Sequence, residues 1–200
     1  LYAELVTMHH RGLVDFARAS TFNLDEFLGV DASAPYSYRS FMERVLFAHV
    51  NLNRRRIHFL DGRAPDVERE CRRYERAIAR AGGIDLMLLG LGVNGHIGFN
   101  EPSPVLQQQT HRVTLTAETR RANAELFRGE SRGVPREGLS MGMGTILRSR
   151  RIVLLATGSA KAAAVRRLVY EGITTRLPAS FLQVHPAAEV WVDAAAAAEL

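Results

Sequence analysis

Three short stretches of this 200-residue chain carry side chains that could move a proton or hold an anion. The first is Gly92-Val-Asn94-Gly-His96-Ile-Gly-Phe-Asn-Glu101-Pro102. Histidine is the side chain best matched to proton transfer near neutral pH, and Asn94 and Glu101 are of the types that hydrogen-bond an imidazole and fix its tautomer. The glycines of this loop permit turns and close approach to a ligand that other residues forbid. The second stretch is Thr21-Phe-Asn-Leu-Asp25-Glu26-Phe27, with adjacent carboxylates. One of such a pair can serve as general base and the other be structural, provided their surroundings split their pKa values. The third is Thr157-Gly158-Ser159-Ala-Lys161. There Gly158 would leave backbone N–H groups accessible, Ser159 is a candidate N-cap, and the start of a helix favours an anion. Lys161 falls in the first turn, where a cation opposes the helix dipole unless an anion is bound as well. Each stretch has a plain alternative when taken singly: a satisfied structural histidine, a polar turn before Gly29, an ordinary helix start.

Composition strengthens the case for Lys161. Of 26 basic residues it is the sole lysine, all others being arginine. A site that keeps a lysine in such a chain is one where a compact ammonium is not interchangeable with a guanidinium. The formal net charge of +5 invites a nucleic-acid partner. The runs Arg54-Arg55-Arg56 and Arg148-Ser-Arg150-Arg151 are short, however, and no aromatics alternate with them, so a solvated face is expected and no nucleic acid. A mild positive field also favours an anionic substrate. No apolar run reaches the ~18 residues of a membrane span, so no membrane partner is expected. Cys71 stands alone, which forbids an internal disulfide and leaves no redox or zinc motif. An inert thiol of this kind suits a reducing compartment, the cytoplasm.

The elements that must position these groups follow from periodicity. β-type runs alternate with helical patterns, as in an α/β fold with an open, mostly parallel sheet and helices on both faces. Helices are expected up to Arg11, over 38–50, from Pro65 in a first-turn position to Gly82, over 117–127 and over 160–170. Strands are expected over 17–22, 57–60, 84–90, 112–116, 151–156 and 189–193. Ile84 to Gly90 is so continuously apolar that it reads as a central strand covered on both faces. No linker or repeat interrupts the chain, so residues 1–200 form one domain. In open α/β sheets ligands bind beyond the carboxyl ends of the strands, and all three polar stretches fall at such ends.

These residues resemble the glucosamine-6-phosphate deaminase (isomerase) family. The matching segments are Thr21-Phe-Asn-Leu-Asp-Glu-Phe, Tyr38-Arg-Ser-Phe-Met, Gly95-His-Ile-Gly-Phe-Asn-Glu-Pro, Gly142-Met-Gly-Thr and Gly158-Ser-Ala-Lys, in family order along nearly the whole chain. The resemblance implies a Rossmann-like fold of the deaminase/phosphogluconolactonase type. It implies that His96, held by Asn94 and Glu101, assists opening of the sugar ring, and that Asp25 takes the proton from C2. Lys161 would bind the substrate phosphate, with Gly158, Ser159 and Glu26 counted among the substrate-binding residues. No metal or organic cofactor is implied. The family includes monomers and hexamers, which leaves a homo-oligomer open.

Several positions depart from the family pattern. Asn94 stands where members carry Asp or Asn, and a neutral amide orients His96 without stabilising its cation by charge. Glu125 stands where many members have a substrate-holding Arg, although Arg121, four residues back, could pair with it. Leu1 would begin inside the helix that follows the family's N-terminal strand and Gly-Gly-Thr phosphate loop, so a domain lacking both, with half a phosphate site and an uncovered sheet, is expected. Pro104, Val105, His111 and Val113 occupy the positions where the allosterically activated branch has a Ser pair and an Arg-x-Lys triplet. Activation by N-acetylglucosamine 6-phosphate is therefore not expected.

Two other functions compete. A 6-phosphogluconolactonase has a similar Gly-His turn, but a Ser-Leu-Phe-Pro type segment follows its histidine, where this chain has Gly98-Phe-Asn-Glu-Pro102. A sugar-phosphate-sensing domain of a regulator would keep Lys161 and lose the proton-transfer set, whereas Asp25, His96 and Glu101 are all present.

Overall fold

Apolar runs bounded by turns become strands, and the stretches between them become helices, in a computed structural model that describes residues 1–127, 129 and 132–200. In chain order the helices are α1 (Tyr2–His10), α2 (Tyr38–Val45), α3 (Val67–Arg80), α4 (Ala117–Ala122), α5 (Met143–Leu147) and α6 (Ala162–Tyr170). The strands are β1 (Thr21–Phe22), β2 (Asp25–Phe27), β3 (Ile57–His58), β4 (Leu86–Gly90), β5 (His111–Thr114), β6 (Glu137–Ser140), β7 (Arg151–Ala156) and β8 (Ala188–Val192). β4, β7 and β8 form a parallel sheet in that order, and β1 pairs in parallel with β3. The expected parallel α/β core is thus present. An antiparallel sheet of order β2-β6-β5, which periodicity did not anticipate, stands beside it.

β4 and β7 share a register in which Gly90 lies opposite Leu155, so the loops leaving their carboxyl ends emerge side by side. Those are the loops of His96 and Lys161. On one face Met87, Leu89, Ile152 and Leu154 are buried against Tyr74 and Ile78 of α3, Met143 and Ile146 of α5, and Val165 and Leu168 of α6. Each such side chain contributes roughly 1.5–3 kcal/mol by leaving water. The Tyr74 hydroxyl donates to the Asn23 carbonyl at 2.7 Å, which pins the segment entering β2 and Asp25.

The structure corrects four local expectations. β4 is not covered on both faces: Leu86 and Leu88 are 51% and 38% exposed. The same face of the sheet carries Trp191 of β8, 59% exposed. Among the described residues β4 is also the end strand of its sheet. α2 stops at Val45 and continues only as a 3-10 turn over Phe47–His49. The cap of α3 is Asp66, whose carboxylate accepts from the Arg69 N–H, so Pro65 lies before the cap rather than in the first turn. Finally α6 begins at Ala162 behind a 3-10 turn over Ser159–Lys161, and the cap position belongs to Lys161.

Candidate active site

The loop after β4 is built around its histidine. Gly92 donates to the His96 carbonyl at 2.9 Å, and Gly95 donates to the Gly92 carbonyl at 2.9 Å. A Cβ at Gly92 would fall 2.3 Å from His96 Nδ1, so only glycine leaves room for the imidazole to fold back over the loop. At Gly95 φ is +86°, and a Cβ would come within 2.1 Å of Leu177 Cδ1.

Asn94 Oδ1 lies 2.7 Å from His96 Nδ1 and also accepts the His96 backbone N–H at 3.1 Å. The other end of the amide, Nδ2, donates to Glu101 Oε2 at 3.0 Å. A carboxylate only accepts, so it faces the Asn94 amino group and turns Oδ1 to the ring. Nδ1 must then carry the proton, and Nε2 is left as the free lone pair. Glu101 Oε2 is 3.5 Å from Nδ1, placing a negative charge behind the ring. Burial would raise the Glu101 pKa, but hydrogen bonds from His96, Thr119 and Asn94, with the histidine charge, outweigh it and hold the acid at about 2. The carboxylate therefore stays ionised across the physiological range.

Asp25 begins β2, opposite Ser140 of β6. Burial, and then the charge of neighbouring Glu26, push its pKa up to about 8. Glu26 does not turn towards the ligand side as expected. Its Oε1 accepts the N–H groups of Phe27 and Tyr38, and Oε2 accepts that of Arg39. It is a buried anion closing the N-terminus of α2, satisfying donors that a helix cannot satisfy itself. The adjacent pair thus divides its roles: Asp25 opens to the cleft while Glu26 holds a helix. Burial raises the pKa of Glu26 as well, and the three N–H donors and Arg39 work against that rise.

Lys161 is half-buried, and desolvation alone lowers its pKa, with no carboxylate partner among the described residues. An uncompensated ammonium beside a cleft is suited to an anion. Gly158 and Ser159 differ from expectation. The Gly158 N–H is taken by both oxygens of Asp193, at 3.1 Å each, at the end of β8. The Ser159 side chain is exposed and caps neither the 3-10 turn nor α6.

Asp25, His96 and Lys161 come together on one cleft of about 280 Å³, joined by Tyr38, Thr119 and Asn123. Asn94 and Glu101 stand behind His96, away from the lining. Tyr38, Thr119 and Asn123 escaped sequence reasoning; the Thr116-x-x-Thr119 spacing is the signal that could have found one of them, because Thr116 caps α4 by accepting the Thr119 N–H. Glu125 is exposed and outside the lining. A larger cleft of about 720 Å³, between α3 and residues 107–112, holds none of the expected groups. Its Glu75 already accepts from Thr110 and Thr145.

Residues 1–191 match the family described as glucosamine-6-phosphate isomerases/6-phosphogluconolactonase. The chain belongs to this family. A glucosamine-6-phosphate deaminase of Halothermothrix orenii is 48% identical over all of this chain and 83% of that protein. One from Thermoanaerobacter pseudethanolicus is 44% identical over 98% of this chain and 78% of its own length. A solved monomeric glucosamine-6-phosphate deaminase superposes with a TM-score of 0.96 at 41% identity, covering all of this chain and 82% of that one. The 6-phosphogluconolactonase of Thermotoga maritima, at 20% identity and a TM-score of 0.70, shares the fold. Within the family, then, this chain stands with the deaminases in sequence and with both branches in architecture.

Proposed function

We propose that this protein converts glucosamine 6-phosphate and water into fructose 6-phosphate and ammonia. The observation that carries this reading is the convergence of a high-pKa aspartate, a tautomer-fixed histidine and an unpaired lysine on one cleft. The relatives named above supply the substrate.

The residues divide the work by chemistry. Lys161 binds the phosphate as a compact cation. The lone pair at His96 Nε2 takes the proton from the anomeric hydroxyl and returns one to the ring oxygen, which opens the ring. Glu101 is already ionised and balances the imidazolium while it lasts; Asn94 keeps the ring in the productive tautomer. Asp25, as the carboxylate, removes the proton from C2 of the open chain. The enolamine is reprotonated at C1, and water adds at C2 and displaces ammonia. A base with a pKa near 8 is well matched to a carbon acid at neutral pH. A lactonase would not need a base at position 25.

One chain supplies every group in this scheme, so we infer that a monomer suffices for the chemistry. A cytoplasmic location goes with it, since the substrate is a phosphorylated metabolite and the single cysteine is buried and free. Ammonia release from glucosamine 6-phosphate is the direct test. Asp25→Asn should still bind the substrate and lose at least about 1,000-fold in kcat. Turnover by Asp25→Asn at the parent rate would remove Asp25 from the role of base.

A further inference from the structure

The histidine relay does not end at Glu101. Thr119 Oγ1 donates to Glu101 Oε1, and the Thr119 side chain is buried, 1% exposed. Thr116 Oγ1 lies 3.2 Å from the same oxygen and 3.2 Å from the Thr119 hydroxyl. Both threonines belong to the start of α4, where Thr116 caps the helix by accepting the Thr119 N–H at 3.1 Å. A local capping motif therefore aims two hydroxyls at the carboxylate behind the catalytic ring.

The opposite end of α4 is tied as well. Asn123 Nδ2 donates to the Thr119 carbonyl at 2.9 Å, and its Oδ1 accepts from the Tyr38 hydroxyl at 2.9 Å. Tyr38 lines the cleft beside Asp25, and burial, with the charges of Asp25 and Glu26, raises its pKa, so it remains a neutral donor. The residues in series are Tyr38, Asn123, Thr119, Glu101, Asn94 and His96, with Thr119 held through its backbone carbonyl on one side and bonding through its hydroxyl on the other. Every link has a defined donor except the last. The proton at Nδ1 is assigned because Asn94 presents its oxygen, an orientation that Glu101 fixes by accepting from the amino group; Glu101 Oε2 and Thr119 Oγ1 also stand 3.5 Å from Nδ1.

We propose that Thr119 is a positioning residue that sets the tautomer of His96 through Glu101 and Asn94. The proposal rests on the deaminase reading for its rate consequence, but its structural half does not require a substrate. Without the Thr119 hydroxyl, Glu101 Oε1 keeps only donors from Thr116, and the carboxylate can rotate away from Asn94. The amide is then free to flip and present Nδ2 to the ring. Nδ1 would have to accept, the proton would move to Nε2, and the cleft-facing nitrogen could no longer take a proton from a sugar hydroxyl. Chains of this kind hold function through geometry, and losing one link is felt at the far end.

The test uses Thr119→Val, which keeps the shape and removes the hydroxyl, beside Thr119→Ser, which restores it. Nitrogen-15 spectra of histidine-labelled protein, at a pH where the ring is neutral, report which nitrogen of His96 is protonated. The parent and Thr119→Ser should show the Nδ1–H form, and Thr119→Val should lose its predominance. In steady-state assays Thr119→Val should fall about 10- to 100-fold in kcat with KM little changed, and Thr119→Ser should recover to within a few-fold of the parent. A Thr119→Val protein that keeps the Nδ1–H form overturns the proposal whatever its activity. So does a Thr119→Ser protein as impaired as Thr119→Val, because packing rather than the hydroxyl would then be at issue. If the tautomer shifts as expected in a protein that releases no ammonia from glucosamine 6-phosphate, the positioning role stands and the substrate assignment falls.

Discussion

At the scale of single residues, two acids of one site are driven in opposite directions. Asp25 is raised to about 8 by burial and by Glu26, whereas Glu101 is held at about 2 because its hydrogen bonds outweigh its burial. The first effect has a stability consequence with a definite sign. Below the ordinary aspartate pKa of about 3.8 both folded and unfolded chains are protonated at Asp25. As pH rises from there towards 8, the unfolded chain gives up the proton and the folded one keeps it, so stability falls. Asn cannot ionise, so Asp25→Asn should gain melting temperature relative to the parent, and the gain should widen between about pH 5 and about pH 8.5. Thermal unfolding of the two proteins across that range checks this; a constant difference would mean that Asp25 is not raised. The same residue then shows a conflict between stability and activity, which is common where a fold holds a group away from its preferred charge state.

Elements explain why some of the site was legible and some was not. The loops of His96 and Lys161 could be placed because β4 and β7 announce themselves as apolar runs, each leading into a loop that carries glycine. β2 and β6 could not. Asp25-Glu26-Phe27 and Glu137-Gly-Leu-Ser140 have little intrinsic strand character, and pairing with each other and with β5 makes them strands. Asp25 was found by chemistry, not by element. Glu26 was misjudged because its partners are backbone N–H groups at the start of α2, which no side-chain pattern displays. Thr119 was missed for a similar reason, since α4 reads as a polar helix and its buried threonine faces Glu101 across 18 residues of sequence. The role of Glu26 makes a further expectation. Glu26→Gln removes a charge beside Asp25 and weakens the closure of α2. It should cost about 1 kcal/mol in denaturant unfolding and move the acid limb of the kcat/KM profile from near 8 to lower pH. An unmoved limb would show that Glu26 does not set the base.

Over the whole molecule, the parallel sheet keeps one face in the core and leaves Leu86, Leu88 and Trp191 open on the other. Because Leu86 already stands half in water, Leu86→Lys should change unfolding free energy by no more than ~0.5 kcal/mol while reducing binding of hydrophobic dyes. A loss of about 2 kcal/mol or more would instead mean that this face is covered in solution. The sole tryptophan of the chain lies on that face, so its emission reports any change there without further labelling. Lys161 offers the complementary handle in the cleft. It is the one lysine among 200 residues, and burial weakens its hold on its proton. An amine-directed reagent therefore meets one side-chain amine in the entire chain, in the site itself. Covalent tagging, normally a blur over many lysines, is here shared between the α-amino group and the active centre, and the part that a sugar phosphate protects counts the active centres.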